Sequence, residues 1–265
     1  MNRIDKLFSQ KSHNILNIYV LAGFPQLQDT VEIVKTLETC GVDMIEIGMP
    51  YSDPMADGPT IQRSSSMALR NGMRLTLLFE QIKEIRKGSE IPLLMMGHLN
   101  QLMQFGMNRF IEECRISGID GLIIPDLPID MYEEEIMADI SSSGIHMVFL
   151  ITPQTSEERI RKIDSLTGGF VYMVSNASIT GAKQSISRAQ EDYFERIGSL
   201  GLRHPRLIGF GISNYETFKK ANKYANGVII GSAFIQALDR DDQSLERRVR
   251  GFIDSIKNPT YDHSA

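Results

Sequence analysis

The sequence predicts an α/β protein, a single-domain (β/α)8 TIM barrel with an extra N-terminal helix, and three observations carry that expectation. Eight short apolar runs alternate with longer stretches of helical period, the pattern of parallel strands joined by crossover helices. Three junctions, Gly41-Val42-Asp43, Gly118-Ile119-Asp120 and Gly144-Ile145-His146, each close a helix and open a strand, and Asn226-Gly227-Val228 is a looser fourth. In such a junction Gly adopts the left-handed conformation that ends a helix. No Pro/Gly/Ser-rich linker or low-complexity tract divides the 265 residues. A chain of this length could hold two domains, but α/β barrels reach it as one.

Taken in order, residues 1–10 mix Arg3, Asp5 and Lys6 with Ile4, Leu7 and Phe8, an amphipathic helix and not a signal peptide. Strands are expected over 15–22, 44–48, 91–95, 121–124, 146–151, 169–173, 206–209 and 227–230. Helices are expected over 30–40, 107–117, 131–143, 156–166, 192–200 and 215–224, among others. The small, polar run 175–190 follows the sixth strand. A loop of that length at a strand's C-terminal end reads as a lid. The tail 258–265 is expected to fray.

Composition excludes several classes of function. A net charge of −5 opposes affinity for nucleic acid or anionic membranes. Cys40 and Cys114 have neither metal-type spacing nor a disulfide framework, and both read as small core residues in a reducing compartment. No apolar run approaches the roughly 18–20 residues of a membrane span, so a cytoplasmic protein is expected.

In barrels of this class chemistry sits where strands end. Period-two alternation in Met44-Ile45-Glu46-Ile47-Gly48 puts Met44, Glu46 and Gly48 on one face. The aliphatic pair suits the helix-facing side, so Glu46 points into the lumen, where desolvation raises its pKa toward neutrality. A carboxylate paired with an interior Arg or Lys, or one at a polar barrel end, is the alternative on pattern alone. The proline-rich loop 50–60 then carries Asp53 and Asp57. Both fit ordinary turns, yet they follow directly on a lumen-facing acid, and two carboxylates at one mouth can divide acid and base roles. Glycine-bearing segments Thr180-Gly181, Gly209-Phe210-Gly211-Ile212-Ser213 and Gly231-Ser232 follow the last three strands. Backbone N–H groups at such helix starts can cradle a phosphate.

The run from Ile45 through Glu46, Pro50-Tyr51-Ser52-Asp53-Pro54 and Ala56-Asp57-Gly58-Pro59 to Ile61-Gln62 resembles the signature of tryptophan synthase α subunits. The likeness continues through Ile124-Pro125-Asp126-Leu127-Pro128, Phe210-Gly211-Ile212-Ser213 and Gly231-Ser232-Ala233, along essentially the whole chain. It implies cleavage of indole-3-glycerol phosphate to indole and glyceraldehyde 3-phosphate, with Glu46 as the principal acid/base group and Asp57 as its partner. It also implies phosphate binding by Gly181, Gly211, Gly231 and Ser232, with Tyr19 and Tyr172 against the rest of the substrate. No cofactor or metal is implied for this chain. The implied partner is a pyridoxal-phosphate-dependent β subunit in an α2β2 assembly. For that contact Asp53, Pro54 and Met55 are expected to project from the second loop, on the same face as Asp126, Leu127 and Pro128 and the 175–190 lid.

Five positions depart from the family pattern. Leu21 and Phe24 stand where Thr and Asp are usual, His98 and Gln101 where Tyr and Pro are usual, and Ser178 begins a lid motif that commonly begins with Gly. They leave Glu46, Asp57 and the phosphate glycines in place. The phosphate loops alone would also fit a sugar-phosphate epimerase or a thiamine-phosphate synthase. A metal-dependent epimerase would need His and Asp ligands, but His98 and His146 pair with no suitable carboxylate in the sequence, and His146 reads as a core or strand residue. A catalytically inert barrel kept to activate a partner is the non-enzyme alternative, against which the presence of both acids weighs.

Overall fold

Strand β1 (Ile15–Leu21) pairs in parallel with β2 (Met44–Gly48) on one side and with β9 (Gly227–Ile230) on the other. The ladder continues through β3 (Leu93–Met96) and β4 (Gly121–Ile123) to β5 (His146–Val148). In the other direction it runs through β8 (Arg206–Gly209) and β7 (Val171–Val174) to β6 (Leu150–Ile151). The two ends of this order, β5 and β6, are consecutive in the chain and separated only by Phe149. The sheet therefore closes into a barrel of parallel strands. The computed structural model describes residues 1–54, 57–174, 186–209, 211–240 and 243–259.

The single strand expected over 146–151 is thus two. The cause lies 18 residues away, where the Thr167 hydroxyl accepts the Phe149 N–H at 3.0 Å. The junction expectation holds at Gly41, Gly118 and Gly144, with φ of 73°, 85° and 75°. Gly227 differs, because a Cβ there would collide with the β1 backbone at Ile15. The expected helix 131–143 starts earlier, as Ile129–Met131, and passes through a π-helical turn, Tyr132–Ile136, into Met137–Ser143. The helix expected from 192 begins at Arg188, because Ser187 and Gln190 form a reciprocal capping box. Residues 188–190 therefore belong to a helix and not to the lid. Residues 175–185 of that run and residues 260–265 of the tail lie outside the described residues.

Two cores follow from strand alternation. Ile18, Val20, Ile45, Ile47, Leu93 and Met95 face the outer helices. Ile15, Met44, Leu94, Ile123, Val148, Phe170, Leu207 and Ile229 form a separate cluster inside the barrel, joined by Ile4 from the helix Arg3–Gln10. That helix covers the end where strands begin. Asn2 caps it by accepting the Ile4 N–H at 2.8 Å and donates to the carbonyls of Asp120 and Gly144. No helix among the described residues is long and apolar enough to cross a membrane.

Candidate active site

The register Tyr19↔Glu46 and Leu21↔Gly48 places Glu46 beside Tyr19, in the upper half of the lumen. Glu46 is 1 % exposed, and its Oε2 has no hydrogen-bond partner among the described residues. Among the described residues no Arg or Lys pairs with it, so the ion-pair alternative finds no support there. Burial raises its pKa to about 8; the Asn17 amide beside it opposes the rise and the charge of Asp57 adds to it. Tyr19 and Tyr172 are buried nearby, and burial together with Glu46 and Asp57 pushes both phenols well up. Gly48 and Gly209 make room for them, because a Cβ at either glycine would overlap the Tyr19 or Tyr172 ring.

Asp57 lies half-buried at the mouth, after β2. Gln62, in the helix Pro59–Arg70, holds this loop by donating from Nε2 to the Asp57 carbonyl at 2.8 Å and to that of Pro54 at 3.4 Å. Gly58 and Pro59 start that helix, proline standing where a missing N–H costs no bond. Burial raises the Asp57 pKa, and His98 opposes the rise. His98 stacks on Tyr51 with ring centroids 4.6 Å apart, and Asn100 donates to the Tyr51 hydroxyl at 3.0 Å. Gln101 accepts the His98 N–H at 3.0 Å and donates to the Pro50 carbonyl at 2.9 Å. Two family departures, His98 and Gln101, thus tie the helix Leu99–Phe105 to the Asp57 loop. The other two described departures, Leu21 and Phe24, are buried and apolar, each 1 % exposed.

On the other side of β1, after β9, Gly231 caps the helix Ser232–Leu238, and a Cβ there would sit 3.5 Å from that of Tyr19. Ser232 is exposed. Gly211 is exposed with φ of 80°, a conformation that favours glycine. Glu46, Asp57, Tyr19, Tyr172 and Gly231 therefore converge on one end of the barrel. Gly181, Ser178 and Phe210 lie outside the described residues.

Three sequence expectations need correction. Pro54 does not project; it is buried, and its carbonyl accepts from the Asp57 N–H at 3.0 Å and from Gln62 Nε2 at 3.4 Å. Leu127 is buried as well, leaving Asp53, Asp126 and Pro128 exposed on that face; Met55 lies outside the described residues. Cys114 is fully buried, but Cys40 caps a helix end and is only half-buried. His146 is a strand residue, as expected, but half-exposed, with Nε2 2.7 Å from Asp5 Oδ1. Asn17 is the buried polar residue that the sequence reading passed over, although its place two residues before Tyr19 in a period-two strand marked it as lumen-facing.

A surface cavity lined by Asp5, His146, Thr167, Gly168 and His204 lies where strands begin and is lined by none of Glu46, Asp57, Tyr19, Tyr172 and Gly231. Among the described residues no group of three His, Cys, Asp or Glu side chains is placed to hold a metal.

The tryptophan synthase alpha chain family model matches residues 6–260. A tryptophan synthase alpha chain of Phocaeicola vulgatus is 52 % identical over 258 residues, covering 97 % of this chain and 100 % of the relative. That of Flavobacterium johnsoniae is 53 % identical over 257 residues, with the same coverage. A chain of the Pyrococcus furiosus tryptophan synthase complex superposes with a TM-score of 0.85 at 33 % identity, over 93 % of this chain and 98 % of that one. With sequence and fold agreeing from end to end, the chain belongs to the tryptophan synthase alpha chain family.

Proposed function

We infer that the chain cleaves indole-3-glycerol phosphate to indole and glyceraldehyde 3-phosphate, a carbon–carbon lyase reaction, with Glu46 and Asp57 as its catalytic residues. The observation that carries the residue assignment is the buried Glu46 carboxyl, raised to about 8 and facing the same mouth as Asp57. A carboxyl that titrates near the working pH can both give and take a proton.

The steps follow from that property. Protonated Glu46 delivers its proton to indole C3, and the ring becomes a cationic indolenine whose N–H donates to Asp57. The Glu46 carboxylate then removes the proton from the adjacent side-chain hydroxyl. The C–C bond breaks, its electron pair returns to the ring to restore neutral indole, and the oxygen closes to an aldehyde. Glu46 ends protonated, ready for another turnover. Tyr19 and Tyr172, neutral and buried, form the walls against the indole and glycerol portions. Gly211, Gly231 and Ser232, with Gly181, hold the phosphate through backbone N–H groups and a hydroxyl. Neither step calls on a cofactor.

Indole is apolar and crosses membranes, so direct transfer to a second enzyme avoids its loss. We assign that role to a pyridoxal-phosphate-dependent β subunit in an α2β2 assembly, with Asp53 and Pro128 on the docking face. The Pyrococcus furiosus relative comes from a tryptophan synthase complex, which supports a partner subunit for this chain. The whole chain forms one barrel domain on this view, working in the cytoplasm.

The test is indole release by the purified chain, alone and with added β subunit. Turnover by the parent and its loss in Glu46→Gln are the expected results. Absence of turnover in both conditions would instead favour an inert barrel.

A further inference from the structure

Buried polar side chains are nearly always hydrogen-bonded, and one that is not calls for a reason. Asn17 is 0 % exposed in the barrel interior, and neither its Oδ1 nor its Nδ2 completes a hydrogen bond among the described residues. It lies on β1 opposite Met44, one lumen layer below the Tyr19↔Glu46 pair. The Glu46 Oε2 next to it is likewise without a partner. Packing gives Asn17 no role, since its lumen neighbours Ile15, Met44 and Ile229 are apolar and a leucine would fill nearly the same space.

We propose that Asn17 is a positioning residue for Glu46: its carboxamide donates from Nδ2 to the ionised carboxyl and accepts through Oδ1 from the protonated one. The inference rests on the assignment of Glu46 as the proton-transfer group. A group that must cycle between two protonation states is poorly served by a fixed cation, which would hold it ionised, or by an apolar wall, which would hold it neutral. An amide with both functions uncommitted serves either state by turning about its terminal bond. Among the described residues, the other titratable groups facing Glu46 are Asp57 from the loop after β2, Tyr19 from β1 and Tyr172 from β7. Asp57 disfavours a second negative charge, and the phenols stay neutral. Asn17 is the group that favours the carboxylate.

Asn17→Leu should raise the Glu46 midpoint by about one unit, the size of one hydrogen bond to a charged group. In turnover, kcat should fall about tenfold with little change in KM, because the carboxylate left by the first proton transfer loses its donor. The fold should persist, since leucine has a similar shape and its lumen neighbours Ile15, Met44 and Ile229 are apolar. The midpoint is read by 13C NMR of the full chain labelled at glutamate carboxyls, with Glu46→Gln identifying the resonance, and again from the alkaline limb of kcat/KM. Asn17→Val and Asn17→Thr form a second pair of equal shape, in which only Thr keeps a group that donates and accepts. The Thr chain should have the lower midpoint and the higher kcat. An unmoved Glu46 midpoint with parent-like kcat in Asn17→Leu, or equal midpoints and kcat in the Val and Thr chains, overturns the role of Asn17 alone. Parent-like turnover by Glu46→Gln overturns the Glu46 assignment and this role with it.

Discussion

The phenol oxygen of Tyr19 lies against the Cα of Gly48 on the neighbouring strand, so closely that a Cβ at position 48 would overlap it and come within 2.8 Å of the ring Cε2. Gly48 is an ordinary strand residue without a positive φ, so its smallness serves the ring and not the backbone. Gly48→Ala should therefore displace Tyr19 from beside Glu46 while the barrel still folds. A displacement of about 1 Å near the chemistry can cost up to 10²-fold, and a loss of about 10- to 100-fold in kcat/KM is expected. Adding Tyr19→Phe removes the oxygen nearest the new methyl and should restore part of that loss. Strictly additive effects in the double variant would show that the two positions do not communicate through this contact.

Glu46 couples activity to stability in opposite senses. Its ordinary value of 4.5 is raised to about 8 in the folded chain, so between those values the folded state holds a proton that the unfolded state has released. The contribution to stability is complete below about 4.5, declines as pH rises, and is lost above about 8. Glu46→Gln carries no charge at any pH and should remove this slope. At pH 8.5 it should be more stable than the parent by on the order of a few kcal/mol, and at pH 4 about equal. Indole release should fall at least about 10²-fold. Urea titrations at the two pH values check the first claim, and parallel pH slopes in parent and variant would contradict it.

How much of this was legible beforehand depended on how far apart the deciding residues lie. Glu46 was readable because period-two alternation is local and Ile45 and Ile47 mark its opposite face. The closing of the barrel was readable from repeated junctions such as Gly118-Ile119-Asp120. The break at Phe149 was not, because it is made by a threonine hydroxyl from another loop. Burial of Pro54 was not, because proline and aspartate in a loop suggest an exposed turn, and the Gln62 contact to its carbonyl comes from a helix eight residues later. The fit of Tyr19 over Gly48 requires the register of two strands, which no single strand's pattern contains. Asn17 was visible by parity alone, but its lack of partners became apparent only once every neighbouring strand was in place.

A charge test addresses the phosphate rim. Ser232 is the first residue of the helix Ser232–Leu238 and is exposed. Aspartate is favoured in a helix's first turn, so Ser232→Asp should leave the fold intact while placing a negative charge where the phosphate is proposed to bind. KM for indole-3-glycerol phosphate should rise at least about tenfold, and inhibition by inorganic phosphate should weaken in parallel. Gly211→Val would be a poorer probe, because its φ of 80° strains any branched side chain whatever the ligand. An unchanged KM for Ser232→Asp would place the phosphate elsewhere.

The far end of the barrel offers a stability test that leaves the chemistry alone. Asp120 is 3 % exposed and accepts from Arg86 Nη2 at 2.7 Å, Arg3 Nη1 at 3.1 Å and the Leu93 N–H at 2.9 Å. Arg86 is itself largely enclosed and also donates to the carbonyls of Gly118 and Ile91. Asp120→Ala would leave a guanidinium and a strand N–H without their acceptor, and breaking a buried pair from one side costs about 3–5 kcal/mol. The same change frees Arg3, one tether of the helix whose Ile4 fills the barrel floor. Asp120→Asn keeps the shape and one acceptor oxygen, so a smaller loss is expected. Because these residues lie where strands begin, whereas Glu46 faces the end where they finish, kcat per folded molecule should stay near the parent value in both variants. Urea unfolding monitored alongside indole release separates the two effects. A fall in kcat at full folding, or a loss of stability below about 1 kcal/mol for Asp120→Ala, would contradict this division between the floor that holds the barrel and the mouth that does the chemistry.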